Sequence, residues 1–167
     1  MNGTFRHLSF LSSFSVCLIL INSLLGQGAG SMPTLDYMPP GHAAIVEEKL
    51  PDARKLDGGI RFIETRKGEG PVIKKGDKIT ALYIGRLLDG TIFNQKRSRL
   101  HMFEFEVGAT PPQIIQGWER TMSLMQKGGK YTIAIPSQFA YRDKGRENQV
   151  PPYATVIFDI EIVNVEQ

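Results

Sequence analysis

Along Lys78–Leu88 the apolar side chains fall on every second position: Ile79, Ala81, Tyr83 and Leu87, with Gly85 in the same register. A period of two marks a strand with one buried face. The same alternation recurs in Met102–Val107, where Phe103, Phe105 and Val107 face one way and Glu104 and Glu106 the other. It returns in Lys130–Ile135 and again in Ala154–Val165, where Val156, Phe158, Ile160 and Ile162 point inward. Shorter strands are predicted over Ile60–Arg66 and Thr91–Asn94, the latter after the Asp89-Gly90 turn. Between the strands the period changes once. Ile114, Trp118, Met122 and Met125 follow helical spacing after Pro111-Pro112, and Gly128-Gly129 is the expected stop. Gly117 inside that helix costs roughly 1 kcal/mol relative to alanine, which implies that another surface or a ligand lies against it. Pro136–Pro152 is a long polar loop carrying Phe139 and Tyr141. Together these elements predict an α+β fold, a curved antiparallel sheet wrapped around one short α-helix.

Ahead of the strands the pattern is different. Leu8–Leu25 is apolar, broken by serines and Asn22, and is followed by small residues from Gly26 to Gly30. Residues 1–29 therefore read as a signal peptide, with an uncleaved membrane anchor as the alternative. Residues 30–57 read as a proline-containing linker with one or two helical turns over Ala43–Leu50, and residues 58–167 as the folded domain. The expectation is an exported protein, periplasmic or else secreted or anchored by its N-terminus.

Composition removes several chemistries. Cys17, the only cysteine, lies in the leader, so the mature chain has neither a disulfide nor a cysteine nucleophile. His7, His42 and His101 are scattered, and no metal-ligand spacing or phosphate loop occurs. No metal and no cofactor is expected. The net charge is +3, and the basic runs are short and lack interleaved aromatics, so nucleic acid is not an expected partner. What is left is a set of rings on separate elements: Tyr83, Phe93, Phe103, Trp118, Tyr141 and Phe158. Periodicity alone makes them a core. Tyr141 in a polar loop, and the room left by Gly117, point instead to an apolar pocket with a few polar groups.

Four segments, and a fifth at the start of the domain, carry a resemblance. The run Tyr83-Ile84-Gly85…Asp89-Gly90-Thr91-Ile92-Phe93-Asn94 resembles the Tyr-x-Gly…Asp-Gly-x-x-Phe-Asp of FKBP-type peptidyl-prolyl cis-trans isomerases. Ile114-Ile115-Gln116-Gly117-Trp118-Glu119 is similar to their Val-Ile-x-Gly-Trp-Glu, and Phe139-Ala140-Tyr141 to their Tyr-Ala-Tyr. Val150-Pro151-Pro152…Phe158-Asp159 resembles their Ile-Pro-Pro…Phe-Asp, and Gly59–Thr65 the opening of exported bacterial members related to macrophage infectivity potentiators.

The resemblance implies a half-barrel around one helix and rotation about X-Pro bonds in exported proteins during folding. It implies Tyr83, Asn94, Ile115, Trp118 and Tyr141 as catalytic residues. Trp118 is then the pocket floor, and the Ile115 N–H and Tyr141 hydroxyl hold substrate carbonyls. Phe93, Phe103, Ile114, Val150 and Phe158 are implied as substrate-binding. Proline-containing polypeptides are the implied partners, with macrolides of the tacrolimus/rapamycin type as ligands. Asn94 stands where the family has aspartate, and Arg142 where it has glycine; Arg146 and Gln149 replace less polar loop residues. Because of Asn94, the alternative is an exported chaperone or proline-peptide-binding module of the same fold with weak or no catalysis.

Overall fold

The structure, a computed structural model, describes residues 35–167; the expected leader at 1–29 lies outside them. Strand β3 (Lys78–Leu87) alternates buried and partly exposed positions as its sequence predicts, and it is the ladder on which the sheet is assembled. On one side it pairs along its whole length with β7 (Val156–Glu166); on the other it pairs with β4 (Ile92–Lys96) and β5 (Phe103–Glu106). β6 (Lys130–Ile135) continues the sheet beyond β7, followed by β2 (Arg61–Arg66) and the two-residue β1 (Arg54–Lys55). All seven strands are antiparallel to their neighbours. Among the described residues no helix is long and apolar enough to cross a membrane.

The inner face of the sheet closes on helix α2 (Gln116–Met122). Trp118 and Met122 from the helix share one core with Ile79, Ala81, Tyr83, Ile133, Ile135, Phe158 and Ile160. The helix stops at Met122, well short of the expected Gly128-Gly129. Met125 N–H bonds to the Met122 carbonyl, and Gln126 then leaves the helical path to bridge Val72. Gly128, at φ +80°, serves the turn into β6 instead.

β6 is buried at every position from Tyr131 to Ile135, which an alternating strand with one wet face would not be. The reason is a second layer on the outer face. Helix α1 (Pro40–Lys49) begins on a proline, which suits the first helical position. It buries Val46 with Met38 against Ala134 and Ile157. The segment expected as a linker is thus packed onto the sheet from Met38 onward, and the helical turns expected at Ala43–Leu50 form a ten-residue helix.

Polar contacts fix α1 in place. His42 Nδ1 lies 2.9 Å from Thr155 Oγ1. The Arg61 guanidinium, only 3% exposed as a residue, donates to the Gly59 carbonyl at 2.7 Å and reaches Glu47 at 3.2 Å and Asp36 at 3.4 Å. Asp36 also pairs with Lys55 at 2.6 Å and accepts the Met38 N–H at 3.0 Å. Burial pushes the Asp36 carboxyl up, but Lys55, the Met38 N–H and Arg61 outweigh it and hold it below its ordinary value of 3.8. As pH falls the unfolded chain therefore takes up this proton first. The stabilisation is complete above about pH 5 and is lost as pH drops through the folded value. Urea midpoints measured from pH 6 down should fall more steeply for the wild type than for Asp36→Asn, and parallel curves would show the carboxylate to be uncoupled from folding.

Candidate functional site

Pro111 and Pro112 end the extended segment after β5 and bring the chain to Ile115, the residue capping α2 with extended backbone at φ −67°, ψ 152°. No side chain caps this helix; the Ile115 carbonyl instead accepts the N–H groups of Trp118 and Glu119. The N–H of Ile115 itself is one of those that helix geometry leaves without an intrahelical acceptor. Glu119 turns back, and both its carboxylate oxygens accept the Gly108 N–H at 3.1 Å, tying the helix to the end of β5. Gly117 is required by protein contact rather than by a ligand, because a Cβ there would collide with the buried Ile135 side chain of β6. The helix is pulled onto the sheet at that point, and Trp118 goes to the base of the concave face.

Four rings from three strands surround the indole edge-on. Tyr83 and Phe158 have centroids 5.4 Å from Trp118, Phe105 stands at 5.8 Å and Phe103 at 6.2 Å. Edge-to-face geometry is the favoured one for such ring pairs. Phe93 stands at 5.6 Å from Phe158 and 5.8 Å from Tyr141, so the loop tyrosine is tied to the wall. Together they leave a cavity of about 210 Å³. Tyr83, Asn94, Phe103, Ile114, Ile115, Trp118, Tyr141 and Phe158, eight of the ten expected site residues, line it. Phe93 stands behind the lining, against Phe158 and Tyr141.

Val150 is not among the lining residues. It is 3% exposed, packs in the core, and its backbone exchanges hydrogen bonds with Arg146. It anchors the loop above the pocket. Gln113 and Arg146 line the cavity without having been singled out as site residues. Gln113 gives no sequence signal; its side-chain oxygen accepts the Glu106 N–H at 2.8 Å. Arg146 was visible only as a departure from the family's loop. Arg142, another departure, adopts φ +55°, the left-handed conformation that explains a glycine there in relatives of this pattern.

Rings and aliphatic side chains make up most of the cavity wall, with Asn94, Gln113 and Arg146 as the polar exceptions beside the two tyrosine hydroxyls. Trp118 Nε1 is the one buried side-chain nitrogen or oxygen among the described residues that lacks a hydrogen-bond partner, a cost of about 1–3 kcal/mol that a folded core normally avoids. Burial pushes the Tyr83 hydroxyl above its ordinary value of 10.0, and Tyr141 adds to this while Arg146 opposes it. Burial also raises the Tyr141 hydroxyl, with Arg146 opposing. Both hydroxyls are therefore protonated donors at neutral pH. No nucleophile with an adjacent base faces the cavity, and among the described residues no three His, Cys, Asp or Glu side chains gather as metal ligands. A larger cavity of about 900 Å³ lies between the α2 start, Lys74-Lys75 and Gln138–Arg142. Of the ten expected site residues only Ile114 borders it, so size does not mark the site here; the convergence of rings does.

Comparison with known proteins agrees with this geometry. Residues 70–163 match the family described as FKBP-type peptidyl-prolyl cis-trans isomerase. The chain is 34% identical over 126 residues to a probable FKBP-type peptidyl-prolyl cis-trans isomerase, FkpA, of Neisseria meningitidis, covering 75% of this chain and 45% of that protein. It is 31% identical over 159 residues to the macrophage infectivity potentiator of Trypanosoma cruzi, covering 92% and 78%. Among solved structures, FkpA from Escherichia coli superposes with a TM-score of 0.66 at 26% identity, over 75% of this chain and 58% of that one. A peptidyl-prolyl cis-trans isomerase from Pseudomonas syringae pv. tomato gives 0.62 at 29% identity, over 77% and 97%. The chain spans about half the length of the Neisseria FkpA, at 45%, and of the 22 kDa isomerase of Escherichia coli, at 55%.

Proposed function

This chain belongs to the FKBP-type peptidyl-prolyl cis-trans isomerases, and from that premise we propose that it accelerates rotation about X-Pro bonds in polypeptides bound over Trp118. The observation that carries the reading is that eight of the ten motif-derived residues line one small aromatic cavity. In this reading the prolyl ring lies on the indole between Tyr83, Phe103 and Phe158, and the Tyr141 hydroxyl and Ile115 N–H hold carbonyls of the flanking residues.

Rotation about the prolyl amide is slow because resonance must be broken, a barrier of roughly 18–20 kcal/mol for peptide bonds in general. No bond is made or cut, so neither a nucleophile nor a proton-transfer pair is called for. The planar amide carries separated charge that water stabilises, while the twisted amide carries less. An aromatic cavity with few polar groups therefore favours the twisted form relative to the planar one. Donors on the neighbouring carbonyls fix the conformer from which rotation proceeds.

Asn94 sets the expected rate. Charge-assisted hydrogen bonds are roughly twice as strong as neutral ones, and an amide in place of a carboxylate gives up that difference. In a proline-isomerisation assay the wild type should exceed the uncatalysed rate, and Asn94→Asp should raise kcat/KM by about fivefold, the equivalent of about 1 kcal/mol. A wild-type rate equal to buffer, with peptide still bound, selects the second reading of a proline-peptide-binding chaperone. Macrolides of the tacrolimus/rapamycin type are expected ligands of the same cavity and inhibitors in that assay. Export belongs to this reading too, and its support is the apolar N-terminal pattern of residues 1–29.

A further inference from the structure

The prolyl cavity carries one formal charge, and it is positive. Arg146 is one of ten lining residues, and the other nine are neutral at pH 7. Asn94 leaves the cavity without a carboxylate to answer that charge. Elsewhere in the described residues several arginines away from the cavity are neutralised: Arg86 pairs with Asp159, and Arg66 and Arg99 both pair with Glu161. Arg146 has no such ion pair among the described residues, although Asp143 and Glu147 lie on its own loop.

Its position is fixed rather than adventitious. The Arg146 N–H donates to the Val150 carbonyl at 2.8 Å, and its own carbonyl accepts the N–H groups of Gln149 at 2.9 Å and Val150 at 2.8 Å. Val150 is buried in the core, so the root of the side chain is held over the pocket. Arg146 and Tyr141 line the same cavity, and the guanidinium opposes the effect of burial on the Tyr141 hydroxyl. A cation fixed beside the hydroxyl that would hold a substrate carbonyl faces whatever residue flanks the proline.

From this placement we infer that Arg146 makes the site selective for polypeptides with an aspartate or glutamate next to the proline, its planar fork receiving their carboxylate. The inference rests on the isomerase reading above. A solvated loop arginine with no role in binding would be indifferent to the flanking residue; one that lines the cavity with no internal counter-charge is not. Arg146 is exposed, so the gain has the size of a surface ion pair and is screened by salt.

The test compares kcat/KM for Glu-Pro against Gln-Pro peptides and Pro-Glu against Pro-Gln peptides, at low and high salt, with a Leu-Pro peptide as reference. At low salt the acidic peptide of one pair should be favoured by about twofold to fivefold, and high salt should shrink the ratio. Arg146→Gln should bring the ratio to one, and Arg146→Lys should keep part of it. Asn94→Asp should lower it by supplying the missing counter-charge. Equal rates within both pairs, or a ratio that survives Arg146→Gln, overturn the inference, while Leu-Pro turnover leaves the isomerase reading standing. No turnover of any peptide removes both.

Discussion

Trp118→Ala should cost the fold about 3–5 kcal/mol and eliminate prolyl turnover. The residue is 3% exposed and touches the rings of Tyr83, Phe103, Phe105 and Phe158, so truncation removes the central partner of four aromatic contacts. For a chain of this size such a loss corresponds to a thermal midpoint lower by on the order of 10 °C. Loss of activity in that variant alone would not separate floor from scaffold. Trp118→Phe keeps an apolar ring in place, removes the unpartnered indole N–H, and should fold with a smaller penalty. Isomerisation by folded Trp118→Phe at a reduced rate, with Trp118→Ala inactive, assigns the floor to catalysis. An unchanged unfolding midpoint in Trp118→Ala would mean that the indole does not organise the core, and wild-type turnover would mean that it is not the floor.

The strands were legible because their inward positions repeat every two residues and one face is buried. That holds for Ile79 to Gly85 and for Phe103 and Phe105, where the register seen is the register expected. Legibility failed where burial comes from both faces. β6 gives no sign in its own sequence that Ala134 is covered, because the cover, Val46 and Met38, is supplied by residues far away in the chain. α1 was underrated for the matching reason. Apart from Val46 its residues are exposed or half-buried, so it lacks the apolar stripe by which a helix is read. The end of α2 was misplaced because Gly128 is a strong stop signal, while the chain had already turned away at Ser123 to bridge Val72. In the site, Tyr83, Asn94, Phe103 and Phe158 on strands and Trp118 on α2 line the cavity, while Phe93 on β4 stands behind it. Val150 does not line it, since a matched position in an irregular loop fixes backbone more readily than it fixes the direction of a side chain. Arg146 had no periodicity to reveal it, and its place became apparent only once the loop was seen to pass over the cavity.

Gly85→Ala should lower kcat/KM by about tenfold and destabilise the fold by about 1–3 kcal/mol, the usual cost of overpacking a filled core. A Cβ at this position would stand 2.8 Å from Phe158 Cε1 and 2.8 Å from Phe93 Cζ, well inside contact distance. Both atoms belong to rigid rings, and Phe158 lines the cavity while Phe93 braces it, so the added methyl moves the wall. Thinning a ring should restore room: Gly85→Ala combined with Phe93→Leu should lose less than the sum of the two single losses, by at least about 0.5 kcal/mol in urea unfolding. Strictly additive losses would show that the strain is taken up elsewhere, and unaltered turnover in Gly85→Ala would detach the wall from catalysis. The spacing of Tyr83 and Gly85 then has a physical reading. Two residues apart on one strand face, the first supplies a ring to the pocket and the second supplies none, so that the rings of Phe93 and Phe158, from the strands on either side of β3, can close over the gap beside Trp118.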